Sequence, residues 1–299
     1  MSVGILLVAA LSLPLVPSAP PDAAQTARIE EIAAKMSEPG AQVDWFAWSS
    51  AMLKEGDAAL PAILKLLQGK SPTGRANAAW VLMMRPQPFP EAIAPLIEIL
   101  KGEDDSGKGY ASAALSYNAA KAADAVPHLI PLVARLRHTA GPIMALEAIG
   151  IDAKYVPEIV REIVKLGPVY SNSSRMFYAI GLKGLPEIAG ALTHESPGVR
   201  TAAAEALGKL GKPAKTPAVE AALNAALKRD DTRVFAARAL VEMGASAKAA
   251  IPGLIDDLEK GRVVLLRSTD LRYEFAAADV LRRIPEAVPA LLAGLDDDR

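Results

Sequence analysis

Apolar residues in this chain recur at two periods at once. On the short scale an apolar residue is followed by another four positions on, and the same pair then returns as Ile63/Leu67, Leu96/Leu100, Leu129/Val133, Ile159/Ile163, Ile188/Leu192, Val219/Leu223, Leu254/Leu258 and Leu291/Leu295, at intervals of 29 to 37 residues. A spacing of four puts both residues on one face of a helix. A fixed stride of this length marks stacked helical units. A proline stands two residues before the first member of seven pairs (Pro61, Pro127, Pro157, Pro186, Pro217, Pro252 and Pro289), and Pro95 stands one before the eighth. Proline is tolerated in a first helical turn, where its missing N–H has no partner to lose, so each one marks a helix start. These are the second helices of the units.

The first helices lie between them. The clearest runs from Val199 to Gly211, with apolar residues at helical spacing and Gly211 as a stop; Thr232 to Gly244 repeats it, with Arg233, Ala236, Leu240, Met243 and Gly244 in matching places. Small residues such as Ala203, Ala206 and Ala236 allow close helix approach. A lone hairpin cannot bury both its faces, so neighbours must stack. The pattern therefore predicts an all-α chain, an α-solenoid or α-α superhelix of about eight hairpins over residues 43–299. Residues 25–42 read as an N-terminal capping helix, with Thr26 to Met36 closing the first apolar end and Trp45 and Trp48 packed behind it.

The run from Pro197 to Leu223, with its Val-Arg, Ala-Leu-Gly and following proline, resembles the phycobilisome-lyase-type HEAT repeat. That resemblance implies a HEAT-like solenoid. It leaves activity open, since such repeats occur in scaffolds, bilin lyases, a di-iron hydroxylase and DNA-alkylation glycosylases. In the hydroxylase type, His-Glu pairs that hold iron follow the Arg of several first helices; here those places hold Ala76-Asn77, Thr201-Ala202 and Val234-Phe235, and the only His-Glu pair, His194-Glu195, falls in a loop.

Composition narrows the chemistry further. The 33 basic and 34 acidic residues leave a net charge of −1, and the charge runs are short and of alternating sign, so the clustered cations that grip nucleic acid are missing. With no cysteine, disulfides, thiolate metal sites and a thiol nucleophile are excluded. His128, His138 and His194 belong to different repeats and form no ligand pair at a spacing of four. Gly69-Lys70-Ser71 resembles the end of a phosphate loop, but Leu64 stands where the loop needs glycine, so it reads as an inter-repeat turn. Asp104-Asp105, Asp230-Asp231, Asp256-Asp257 and Asp296 to Asp298 lack calcium-loop spacing and read as solvated loops and helix ends. No cofactor is expected.

The expectation is a non-catalytic binding or scaffolding protein with a protein partner, no nucleic acid and no stable membrane span. The rival is an enzyme or enzyme subunit of the lyase or hydroxylase type. At about 100° per residue, the position two past each repeated residue points away from the core, which selects Lys65, Glu98 and Arg161 for a concave surface lined by the second helices. The position three past it holds Leu66, Ile99 and Leu132, read as an apolar strip for a partner or as packing between neighbours. Val264 and Leu265, in the loop from Gly261 to Asp270, form a second candidate contact, with packing under the last repeat as the alternative.

Residues 1–24 read as a signal peptide with a Pro-rich end: Gly4 to Val16 is apolar but for Ser12 and Pro14, and the Pro-rich stretch Pro17 to Ala24 follows. No Lys or Arg precedes the run, and Pro20 disfavours cutting after Ala19, so Ser18 with Val16 two residues before it suits cleavage better. The alternatives are a disordered tail, a mis-set start or a cytoplasmic chain. The run is too short to span a bilayer. Protein from the native host is expected to begin at or after Ala19 on N-terminal sequencing, as a periplasmic or secreted protein would. Met1 or Ser2 on the bulk of cell-internal protein would remove export.

Overall fold

The computed structural model describes residues 21–38, 44–136, 140–166, 171–260, 276–289 and 292. Helix α1 (Ala23–Ser37) leads, and hairpins follow in order: α2 (Trp45–Lys54) with α3 (Leu60–Gln68), α4 (Pro72–Met83) with α5 (Ile93–Lys101), α6 (Asp105–Ser116) with α7 (Val126–Arg135), and α8 (Gly141–Ile149) with α9 (Val156–Leu166). Then come α10 (Ser171–Ile180) with α11 (Leu185–Ala191), α12 (Pro197–Leu210) with α13 (Pro217–Ala226), α14 (Arg233–Glu242) with α15 (Ile251–Glu259), and α16 (Ala276–Arg282). Among the described residues there is no strand. The chain is an all-α array in which first helices stack on first helices and second helices on second helices.

The repeated apolar stripe is the core. Ile63, Leu96, Leu129, Ile159, Ile188, Val219 and Leu254 are at most 2% exposed. Their partners four residues on are buried too, except Leu258 in the last turn of α15, which is 38% exposed. The pair Leu291/Leu295 lies outside the described residues. Helix α1 begins before Thr26, with Asp22 as its N-cap accepting from the Gln25 N–H at 2.7 Å.

A short 3₁₀ turn, absent from the sequence expectation, leads into the second helices; Gly56–Ala59, Ala119–Ala125 and Lys248–Ala250 are examples. The α-helix then begins at or just before the marking proline, as at Pro217 and Pro252. Gly211 does stop α12, with φ +65° that an L side chain rarely adopts.

The first helices meet almost backbone to backbone. A Cβ on Gly208 would lie 3.2 Å from Ala239 Cα, and one on Gly141 would lie 2.5 Å from the Gly109 carbonyl oxygen. Ala203, Ala206, Ala236 and Ala239 fill the remaining contact with methyl groups and are fully or almost fully buried. Such close packing leaves no room for an added methylene.

Three of the turns between repeats are held by an arginine that reaches back six residues. The guanidinium of Arg75 donates to the Gly69 carbonyl at 3.0 Å, Arg200 to that of His194 at 2.6 Å, and Arg233 to that of Leu227 at 3.1 Å. Each acceptor lies just past a second helix, where carbonyls lack helical donors. Arg200 also takes the Glu195 carbonyl at 2.7 Å and pairs with Asp231. Burial alone would raise the Asp231 pKa, but hydrogen bonds from Thr232 and Arg200 and the Arg200 charge bring it below the usual carboxylate value.

The acidic pairs correct one expectation. Asp104 caps α6, accepting from the Ser106 and Gly107 N–H groups, and Asp256 pairs with Lys260 at 2.6 Å. Asp257, however, is buried rather than solvated, 2.9 Å from Arg233. A buried carboxylate needs such a partner.

Leu207 is fully buried. Leu207→Ala should cost about 2–5 kcal/mol in urea denaturation, and Gly208→Val about 1–3 kcal/mol by pushing α12 and α14 apart. A Leu207→Ala loss below about 0.5 kcal/mol, the size of a surface change, would place Leu207 outside the core.

Candidate functional site

The N-terminal end of the array carries a groove of about 770 Å³ between α1 and α3. Helix α1 turns Ile29, Ile32 and Met36 into the core and is tied down at both ends. Near its start, Arg28 and Gln25 donate to the Glu55 carboxylate at 2.7 and 3.1 Å, and those hydrogen bonds hold the Glu55 pKa below its ordinary value. At its far end the Met36 carbonyl accepts from Asn77 at 2.9 Å and the Ser37 carbonyl from Ser71 at 2.8 Å. Asn77 is one of the residues standing where the hydroxylase type would place a ligand, and its amide is spent on this contact.

Small residues make the walls: Ala33 and Ala34 from α1, Ala58 and Ala62 from the α3 side. Ile29 and Leu66 lie beneath them, largely buried. Lys65 and Lys70 stand exposed on one margin and Glu30 on the other. The lining is mostly apolar with a few charged groups, the usual make-up of a site that grips an apolar segment and orients it by charge.

The structure brings two of the eight sequence-selected residues, Lys65 and Leu66, into this groove and distributes the rest. Glu98 and Arg161 are exposed on α5 and α9 as expected, each in a pair within its own helix, Lys101–Glu98 at 2.7 Å and Arg161–Glu158 at 3.2 Å. Such surface pairs are worth little. Val264 and Leu265 lie outside the described residues, as does His138.

Leu66, Ile99 and Leu132 do not form a surface strip. They are 9%, 6% and 5% exposed and belong to the core. A second helix in a stack is covered by its own first helix and by the next repeat, so its buried arc reaches the flank as well as the core direction. Ile99 lies against the next first helix, its Cγ2 3.3 Å from where a Cβ on Gly107 would stand. The same row continues with Glu162 and Asp257, both buried.

A second feature on α2, α4 and α6 is an aromatic cluster. Trp45 meets Trp80 edge to face at 5.6 Å and stacks on Tyr110 at 6.4 Å, while Phe46 meets Trp80 at 5.6 Å and is itself 60% exposed. Trp45 and Trp48 pack on the core. Burial, with a smaller push from Asp104, raises the Tyr110 pKa.

Among the described residues no three His, Asp or Glu side chains converge as a metal site would need, and His194 sits in a loop accepting from the Ser196 N–H. Among those residues, too, no helix is long and apolar enough to cross a membrane.

Residues 179–230, from the end of α10 through α13, match the family model for HEAT repeats. No curated protein sequence matches the chain. Among solved structures, the chain is similar to the complex of CpcE and CpcF of phycocyanin lyase from Nostoc sp. PCC7120, at 20% identity and a TM-score of 0.37, over 84% of this chain and 100% of that one. It is also similar to human deoxyhypusine hydroxylase in complex with glycerol, at 14% identity and a TM-score of 0.31, over 87% and 96% respectively. At these scores neither likeness bears on activity.

Replacing Leu66, Ile99 or Leu132 singly by serine should destabilise the isolated chain by at least about 2 kcal/mol, since each change empties core volume and buries a hydroxyl. Denaturant titration checks this; three losses under about 0.5 kcal/mol would return the row to the surface.

Proposed function

We propose that this helical-repeat chain is a non-catalytic binding protein, exported from the cell, that holds an apolar segment of a partner protein in the groove between α1 and α3. The observation that carries the reading is the groove itself, walled by alanines over an apolar floor with charged groups at its margins. Alanine walls allow close backbone approach, which favours a polypeptide segment over a branched or bulky ligand. The remainder of the array acts as a rigid frame, since α1 is hydrogen-bonded at its start to the end of α2 and at its far end to α4. Export is supported by the uncharged apolar run from Gly4 to Val16 and the Pro-rich stretch after it.

The test is to fill the groove without touching the core. Ala34 is exposed on the α1 wall, so Ala34→Trp should leave helicity and unfolding midpoint unchanged. Crosslinking in extracts of the native organism should give a specific adduct with the unaltered chain and lose it with the variant. An adduct that survives Ala34→Trp undiminished places binding elsewhere on the array.

A further inference from the structure

The groove has a direction as well as a shape. Helices α1 and α3 run parallel along it. The Arg28–Glu55 contact fixes the start of α1 beside the turn that opens α3, and the Ser71–Ser37 hydrogen bond brings their far ends together. Both helix C-termini, each the negative end of a helix dipole, therefore lie at one end of the groove.

Charge follows the same axis. Lys65, in the last turn of α3, and Lys70, just beyond it, stand toward the C-terminal end, whereas Glu30 stands at the middle of α1, seven residues before its last residue. None of the three makes an ion pair among the described residues, unlike Glu98 and Arg161 on neighbouring second helices. Two uncommitted ammonium groups at one end and a carboxylate further back along the trough present an electrostatic template.

Resting on the reading of this groove as a binding site, we infer that its occupant is an amphipathic helix of a partner protein, lying antiparallel to α1 and α3, with acidic residues in its first turn and basic residues in its last. In that orientation the acidic turn meets Lys65 and Lys70, and the basic turn meets Glu30. The incoming dipole also opposes those of α1 and α3, so its positive end sits beside their negative ends. A parallel helix could satisfy the side-chain charges only with acidic residues in its own last turn, against its own dipole. The alanine walls, Ala33 and Ala34 facing Ala58 and Ala62, suit a helix carrying a stripe of modest apolar residues.

Two labelled 15-residue peptides of identical composition test this. Both carry one Leu/Ala stripe; one has Glu in the first turn and Lys in the last, and the other has these ends exchanged. Fluorescence anisotropy against the full chain gives the affinity ratio of the two. The Lys65→Glu/Lys70→Glu double variant, at two exposed positions, should shift that ratio at least tenfold toward the exchanged peptide, and Glu30→Lys should shift it the same way. A preference arising from the peptides' own helicity would be the same for every variant, so an unchanged ratio overturns the inference. Binding of neither peptide also overturns it, in favour of the chain's own residues 1–20 or a second copy as occupant. If Ala34→Trp abolishes the partner adduct while the ratio stays fixed, the groove reading stands and the helix orientation falls. If Ala34→Trp leaves peptide affinity untouched, the groove reading falls as well.

Discussion

The approach of first helix to first helix, close enough that Gly208 faces the Ala239 backbone, is the constraint on which the rest of the array depends. At that distance only glycine and alanine fit at the points of closest contact between first helices. Their cohesion comes from dispersion over an extended, well-fitted surface. The larger apolar residues lie away from those points, on the stripe of the second helices (Ile63, Leu96, Leu129 and their counterparts) and on the first helices themselves (Leu82, Leu115, Leu146, Phe177 and Leu207), and together make the core. The close first-helix contacts set the spacing, and both layers supply hydrophobic area.

Close stacking brings helix ends together at every turn, and ends expose carbonyls without donors. The arginines that reach back six residues answer this locally. Because Arg75, Arg200 and Arg233 each satisfy carbonyls in the turn just before their own helix, each bracket is complete within one short stretch of chain. In α6 the corresponding place is held by Lys108, buried and 3.7 Å from Asp105. The C-terminal end of α1 follows the same logic with different donors, Asn77 and Ser71. That substitution holds α1 where a groove opens beside α3.

Much of the fold was legible because repetition multiplies weak signals. A single apolar pair such as Ile159/Ile163 says little, but eight with a proline before them fix helix starts and stacking. The candidate site was half legible. Lys65, Glu98 and Arg161 are exposed, since two past the stripe is the far side of a helix whatever its neighbours. Leu66, Ile99 and Leu132 were ambiguous, because a helical wheel knows one core direction and a stacked helix has two. The groove is not legible in the sequence. Its walls are alanines, which score as neither polar nor strongly apolar, and the signal that could have found it was Ala33-Ala34 and Ala58 with Ala62 on faces opposite the stripe. The aromatic cluster joins Trp45, Trp80 and Tyr110 from three hairpins, and only the repeat register relates them.

That cluster makes the chain optically lopsided. All three tryptophans, Trp45, Trp48 and Trp80, lie in the first two hairpins, whereas helical backbone extends along the whole array. Indole emission therefore reports on one end of the molecule and circular dichroism on its full length. Repeat arrays can lose order from one end while the other holds. Here such fraying from the C-terminal side would dim the ellipticity while the emission spectrum stood still, so the molecule carries a built-in gauge of whether its repeats act together or in sequence.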